Sequence, residues 1–425
     1  PLHYAAMREA HEAAAMLIEA SPNLLTIPDN NSLRPIHYAF INGNRKAVKV
    51  FLQMTDKSQP AHDQGDTGED SAPTLPILSI LDNDKQTPIH WAAMYGNYGV
   101  IEETMEHYGL TNNPTDPEKK KQLESLLLCK DQKGNTPLHV AISNKQSEVA
   151  IFLLKQTTTP EALLLEQNYG YLTPLEYAIS QNDVVTIKTL LAQLSDKQKI
   201  TVLLGQQHHQ TALHYAARKG HTEVVNALLA AAGDKAGELL LAQTKYFGTA
   251  LHYAAAQGKS EIVSCLLDPK TTGAQQLQQL VLIQDKWGGT ALHYAAKKVH
   301  TKVIKALLKA AGDKAGDLLL VQDQDSCTAL HYAAAQGHKE VLEALLKAAG
   351  DRADDLLLAQ DQGSCTALHH AAAQGHKEVL EALLKAAGDR ADDLLLAQDQ
   401  GSCTALHHAA AQGHKEVLEA LLKAA

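Results

Sequence analysis

Aromatic residues make up only 4% of this chain, cysteines number five, and basic residues are outnumbered by acidic ones, 38 to 48. No apolar run reaches the ~18 residues a membrane helix needs, so no membrane contact is expected within this segment. The formal net charge of −10 excludes a general nucleic-acid surface, which requires a basic field. An odd cysteine count without CxxC pairs argues against a disulfide framework and against a zinc site. Cys327, Cys365 and Cys403 recur every 38 residues. Equivalent positions in stacked helices lie about 10 Å apart, beyond the ~7 Å reach of a disulfide. Free thiols are therefore expected, which suits a reducing cytoplasm. Catalytic signatures are missing as well: there is no HExxH, GxSxG or GxGxxG. Gly258-Lys259-Ser260 looks like the end of a phosphate-binding loop, but Tyr253 stands where that loop needs its first glycine. The chain opens at Pro1 with no signal peptide and reads as a fragment.

What is present is an internal repeat. Thr328 to Cys365 and Thr366 to Cys403 differ only by Tyr332 against His370. The same opening recurs at Thr404, Thr290, Thr249, Thr211, Thr173, Thr136, Thr87 and Arg34, with a remnant at Pro1-Leu2-His3-Tyr4-Ala5. That makes eleven repeats, the first and last incomplete. Thr136 is a good helix N-cap, and Pro137 at the first helical position loses no hydrogen bond. Leu406, Ala409 and Ala410 mark one apolar stripe at helical spacing; Val417, Leu418, Leu421 and Leu422 mark a second. Gly413 can take the left-handed conformation that ends the first helix.

Thr87-Pro88-Ile89-His90-Trp91-Ala92 and Thr136-Pro137-Leu138-His139-Val140-Ala141 resemble the T-P-L-H-x-A signature of the ankyrin repeat. The resemblance covers nearly the whole chain. It implies an all-α solenoid of stacked helix-turn-helix repeats with β-turn fingers, a concave protein-binding face and no intrinsic catalysis. Arrays with such near-identical, lengthened repeats resemble effectors of intracellular bacteria, which would act in the host cytosol.

The chain departs from that pattern in places. The spacing is mostly 38 residues against 33 in the usual unit. The extra residues fall in segments such as Gly388 to Leu396, where Asp389 can cap a further helical turn whose leucines add a third strip of core. Val299 stands where a glycine should end the helix, Glu176 replaces the motif histidine and Arg34 the capping threonine. Local irregularity is expected at all three. Asp56 to Pro76 reads as an acidic loop insertion and Thr111 to Lys121 as a second exposed loop. Residues 1–425 are treated as one array.

The histidine pairs His369-His370, His407-His408 and His208-His209 invite a metal reading. His369 and His407 belong to the repeat motif, however, where the ring satisfies threonine and backbone groups. Adjacent helical residues also point ~100° apart and chelate poorly. No metal, cofactor or catalytic residue is assigned. Lys297, Lys298, Lys302, Lys305 and Lys309 read as a solvated helix face. The scarce aromatics are more telling. In four consecutive middle repeats the residues just before the capping threonine are Tyr169 and Tyr171, then His208 and His209, then Tyr246 and Phe247, then Trp287. The C-terminal copies carry Gln400-Gly401-Ser402-Cys403 there instead. Interface hot spots are enriched in tryptophan and tyrosine, so these seven tips are the expected anchor for a protein partner of a monomeric array. The competing reading folds each ring onto its neighbouring finger as a stiffener. The functional alternative is a targeting module for a catalytic domain outside this segment.

Overall fold

The computed structural model describes residues 1–58, 78–111, 114–206, 209–270 and 273–425, with the side chains of 56–58 left aside. Among them every regular element is helical. The chain forms two compact units, Pro1–His208 and His209–Ala425.

The repeat opening at Thr328 shows how local chemistry dictates the fold of the C-terminal unit. The Thr328 N–H donates to Nδ1 of His331 at 3.1 Å, and the threonine hydroxyl lies 2.9 Å from the same nitrogen. This pair fixes the start of the first helix, Ala329–Ala335. Gly337, at φ +75°, turns the chain into the second helix, Lys339–Ala349. Gly350 follows at φ 53° and ψ −126°, a conformation that a Cβ resists. A short 3-10 turn, Gly350–Arg352, then leads into a third helix, Ala353–Leu357.

Three apolar strips result: Leu330, Ala333 and Ala334; Val341, Leu342 and Leu345; Leu356 and Leu357, all buried. Each buried leucine contributes ~1.5–3 kcal/mol. The alanines of the first helices remove the bulk that would hold neighbouring repeats apart. The added length therefore builds a third helix, longer than the short turn expected, and its leucines add the third strip; Asp389 lies in the preceding 3-10 turn and makes no side-chain cap. Third helices recur at Ala236–Leu241, Ala274–Leu282, Ala315–Leu320 and Ala391–Leu396.

The N-terminal unit uses the same plan with more varied lengths. Its repeat at Thr136 carries helices Pro137–Ser143, Ser147–Lys155 and Pro160–Leu165, and its repeat at Thr173 carries Pro174–Ser180, Val184–Ala192 and Asp196–Leu204. In the repeat at Thr87, Asp116 accepts the Glu118 N–H at 3.0 Å and Pro117 occupies the first helical position. The helix Pro117–Leu127 that they start corrects the expected loop over Thr111 to Lys121: its last residues are helical. The expected acidic loop is also shorter at its start, because the helix Arg45–Ser58 runs past Asp56; residues 59–76 lie outside the described residues.

The three motif departures do not produce the expected irregularity. Val299 takes φ +62° itself. The His300 N–H still reaches the Ala295 carbonyl at 2.9 Å, as His376 reaches Ala371. The helices on either side, Ala291–Lys297 and Thr301–Ala311, match those of the next repeat in length. Flanking hydrogen bonds thus confine the strain to one residue. Glu176 keeps the cap: its carboxylate accepts the Thr173 N–H at 3.0 Å, while Thr173 Oγ1 accepts the Glu176 N–H at 3.1 Å. At Arg34 the backbone N–H donates to His37 Nδ1 at 3.0 Å, and the guanidinium binds the Thr26 carbonyl at 2.9 Å.

Candidate functional site

Seven of the fingers are organised by an aspartate five residues before the capping position; those before Thr173, Thr211 and Thr249 carry Asn168, Gln206 and Thr244 there. In the finger leading to Thr366, Asp361 Oδ1 accepts the Gly363 and Cys365 N–H groups, both at 2.8 Å. Asp29, Asp82, Asp131, Asp285, Asp323 and Asp399 accept the equivalent pair. In six of them the second oxygen pairs with a side chain of the first helix, nine residues on; Asp131 instead accepts from Asn135. Tyr332 Oη donates to Asp323 at 2.6 Å, Trp91 Nε1 to Asp82 at 2.8 Å, and His370 Nε2 lies 2.8 Å from Asp361. Sequence reasoning passed over these aspartates, although their recurrence at a fixed distance from the threonine is the signal that finds them.

Neighbouring fingers are joined by one backbone bond and one imidazole. The Lys286 N–H donates to the Tyr246 carbonyl at 2.7 Å, and Gln324 to Trp287 at 2.9 Å. The motif histidine reaches across with Nε2: His331 to the Cys365 carbonyl at 3.1 Å, His139 to Leu172 at 3.0 Å. Because Nδ1 accepts a backbone N–H, the ring proton sits on Nε2, and the neutral tautomer satisfies both ends. Burial holds His139, His214 and His331 down at about 4, and it lowers His90, His252, His293 and His369 too. These seven buried motif histidines are structural, and their depressed values keep them neutral near pH 7.

The residue two before each capping threonine adopts a left-handed backbone. Gly134 and Gly288 do so at φ +77° and +74°, Ser326, Ser364 and Ser402 at 58–61°. Tyr171, His209 and Phe247 do so at φ +62°, +61° and +61°. A bulky side chain costs roughly 1–2 kcal/mol in that conformation. Three of the seven anticipated anchors are therefore strained as well as exposed. Tyr169 and Tyr171 are 66% and 64% exposed, Phe247 and Trp287 53% and 50%. His209 is exposed, and His208 lies outside the described residues.

Within each unit the tips line a cleft. Tyr169 and Tyr171 border one of about 520 Å³ with Lys130 and Glu166. Trp287 borders another of about 320 Å³ with Tyr294, Lys297, Tyr332 and Asp325. There Lys297 Nζ lies 5.1 Å from the centre of the Tyr332 ring. Tyr246 stacks on Trp287. Tyr169 rests on the preceding finger, where a Cβ on Gly134 would meet its ring at 2.6 Å. Some rings thus do lean on their neighbours, yet every described aromatic tip keeps a large exposed face. All five residues of the lysine face, Lys297, Lys298, Lys302, Lys305 and Lys309, are exposed.

All five cysteines are free thiols. Burial pushes Cys129 up to about 12. Burial and then surrounding aspartates push Cys365 up to about 11. Two of the thiols meet other ligand-type groups. Cys327, Asp361 and His370 bring Sγ, a carboxylate oxygen and a ring nitrogen within 4.8 Å of one another, and Cys365, Asp399 and His408 repeat the arrangement.

Family models describe most of the chain. Overlapping segments from 161–237 through 350–425 match "Ankyrin repeats (3 copies)", and residues 124–178 and 2–52 match "Ankyrin repeats (many copies)". Among curated proteins, the chain is 22% identical over 196 residues to the ankyrin repeat protein nuc-2 of Neurospora crassa, covering 46% of this chain and 15% of that protein. It is 26% identical over 209 residues to dog inversin, covering 45% and 18%. It is 24% identical over 211 residues to the transient receptor potential cation channel subfamily A member 1 of Drosophila melanogaster, covering 45% and 16%. The matches thus span less than a fifth of these relatives' lengths. Among solved structures, the ankyrin repeat domain of Bcl-3 aligns with a TM-score of 0.46 at 22% identity, covering 59% of this chain and 98% of that one.

Proposed function

This chain belongs to the ankyrin repeat family, and from that premise we propose that it is a non-catalytic module that captures a protein partner on its aromatic finger tips. Ankyrin repeats are generally protein-interaction modules; the finer assignment rests on this chain's own residues. One observation carries it. Tyr171, His209 and Phe247 hold a left-handed backbone where sister fingers use glycine, serine or, at Lys85, lysine, and their side chains stay exposed. Strain kept at an exposed position signals a side chain retained for a purpose other than stability.

The chemistry suits recognition. Tyr169 and Tyr171 in one unit, and Tyr246, Phe247 and Trp287 in the other, present large apolar faces beside Lys130, Glu166, Lys297 and Asp325. Such surfaces take an apolar anchor with a flanking charge. The imidazoles of His90, His139, His214, His252, His293, His331 and His369 are bonded at both nitrogens, so they offer no free base. The reading places a monomeric array in a cytoplasm, where its thiols stay reduced.

The test is a quantitative pull-down comparing the chain with Tyr171→Gly, Phe247→Gly and Trp287→Ala. The expected result is one set of partners whose affinity drops by ~1–3 kcal/mol in each contributing variant, with helical circular dichroism unchanged. Partners retained at full strength by all three variants would place the site elsewhere.

A further inference from the structure

Two near-identical repeats differ at a single position, Tyr332 against His370, and the structure shows what that position faces. In the finger leading to Thr328, the Tyr332 phenol donates to Asp323 at 2.6 Å, and the preceding finger ends in Gly289. In the next two copies the preceding finger ends in Cys327 or Cys365, and the same helical position carries His370 or His408. The thiol and the imidazole arrive together. Where the finger ends in glycine, the partner is a phenol.

The clusters are held in place before any ligand is present. The Cys327 N–H donates to Asp323 Oδ1 at 3.0 Å, and its carbonyl accepts His293 Nε2 at 3.1 Å. Asp361 spends Oδ1 on its own finger and turns Oδ2 towards His370. The His370 ring packs edge-on against His331, centroids 5.6 Å apart, as His408 packs against His369. The His370 side chain is 31% exposed and that of Asp361 12%, so the site is fixed yet open to solvent.

We propose that Cys327–Asp361–His370 and Cys365–Asp399–His408 are two equivalent binding sites for a thiophilic divalent cation of the zinc class. Sulfur, imidazole and carboxylate together select zinc and its borderline-soft neighbours, whereas calcium and magnesium require oxygen ligands throughout. Three protein ligands leave a fourth tetrahedral position for water. Closing the set around an ion needs only small side-chain adjustments from atoms already within 4.8 Å. On binding, the thiol releases its proton to solvent, and the imidazole proton moves to Nδ1 so that Nε2 coordinates. The ion's double charge offsets the acidic surroundings that keep the thiols protonated. Each site bridges two fingers, so occupancy staples adjacent repeats. This revises the expectation of no metal, which considered adjacent histidine pairs and cysteine spacing but not groups from separate fingers.

The test is titration of the reduced full chain with Co²⁺, read by the thiolate-to-cobalt charge-transfer band. Two equivalents are expected, with one lost in His370→Tyr, one in His408→Tyr and both in the double variant. Zn²⁺ should displace the cobalt and shield Cys327 and Cys365 from alkylation. Tyrosine is what the sister repeat carries beside Asp323, so these variants should keep the fold, checked by circular dichroism. Absence of the band in the unaltered chain, or its persistence in the double variant, overturns the proposal.

Discussion

Tyr246 and Trp287 stack across adjacent fingers, their ring centroids 5.5 Å apart and their planes 26° from parallel. The backbone bond from Lys286 to the Tyr246 carbonyl sets that separation, and Lys245 Nζ lies 4.9 Å from the Tyr246 ring centre. Offset stacks contribute ~0.5–1.5 kcal/mol beyond area burial. A double-mutant cycle with Tyr246→Ala and Trp287→Ala should return a coupling of that size in denaturant unfolding. Additive effects would mean that the rings touch without stabilising one another.

Phe247 and Tyr171 give the opposite sign. Replacing either by glycine removes left-handed strain, offset in part by the freer unfolded chain. The expected net change is a gain of up to ~1 kcal/mol, together with weaker partner capture. Alanine keeps a Cβ and should give no such gain. A loss of stability in both glycine variants would show that the rings are chiefly structural.

Val299 offers a control away from the finger tips. Its φ of +62° is unfavourable for a β-branched residue, and the repeats on either side use Gly258 and Gly337. Val299→Gly should raise stability by ~1 kcal/mol in equilibrium denaturation, with no effect on partner capture. An unchanged or lower midpoint would count against confined strain.

The buried motif histidines make the fold acid-sensitive. Their folded values are depressed, so their contribution is fully present above the unfolded value of 6.5 and is lost as pH falls towards about 4. Each imidazole gives up on the order of 1–3 kcal/mol across that window. The melting temperature should therefore fall steeply between pH 6.5 and 4. His331→Gln keeps an S/T-x-x-Q capping pattern without a titrating ring and should make the fall shallower. A melting temperature flat over that range would refute the linkage.

The sequence by itself determined the helical repeat, its register and its cap. Thr328 and His331 interact at a separation of three residues, and Leu330, Val341 and Leu345 repeat with the helical period, so their roles are visible in one dimension. The leucines of the lengthened segment likewise announced a further helical turn and a third strip of core. Only the tertiary structure decided what the fingers do. Phe247 reads as an exposed aromatic in the sequence, while its left-handed backbone follows from hydrogen bonds that close the finger. Val299 looked disruptive because propensity is local, whereas the ladder around it is cooperative. Cys327 and Asp361 stand 34 residues apart. They approach within 4.8 Å because one turn of stacking brings one finger beside the next, and no spacing rule for a single segment encodes that distance.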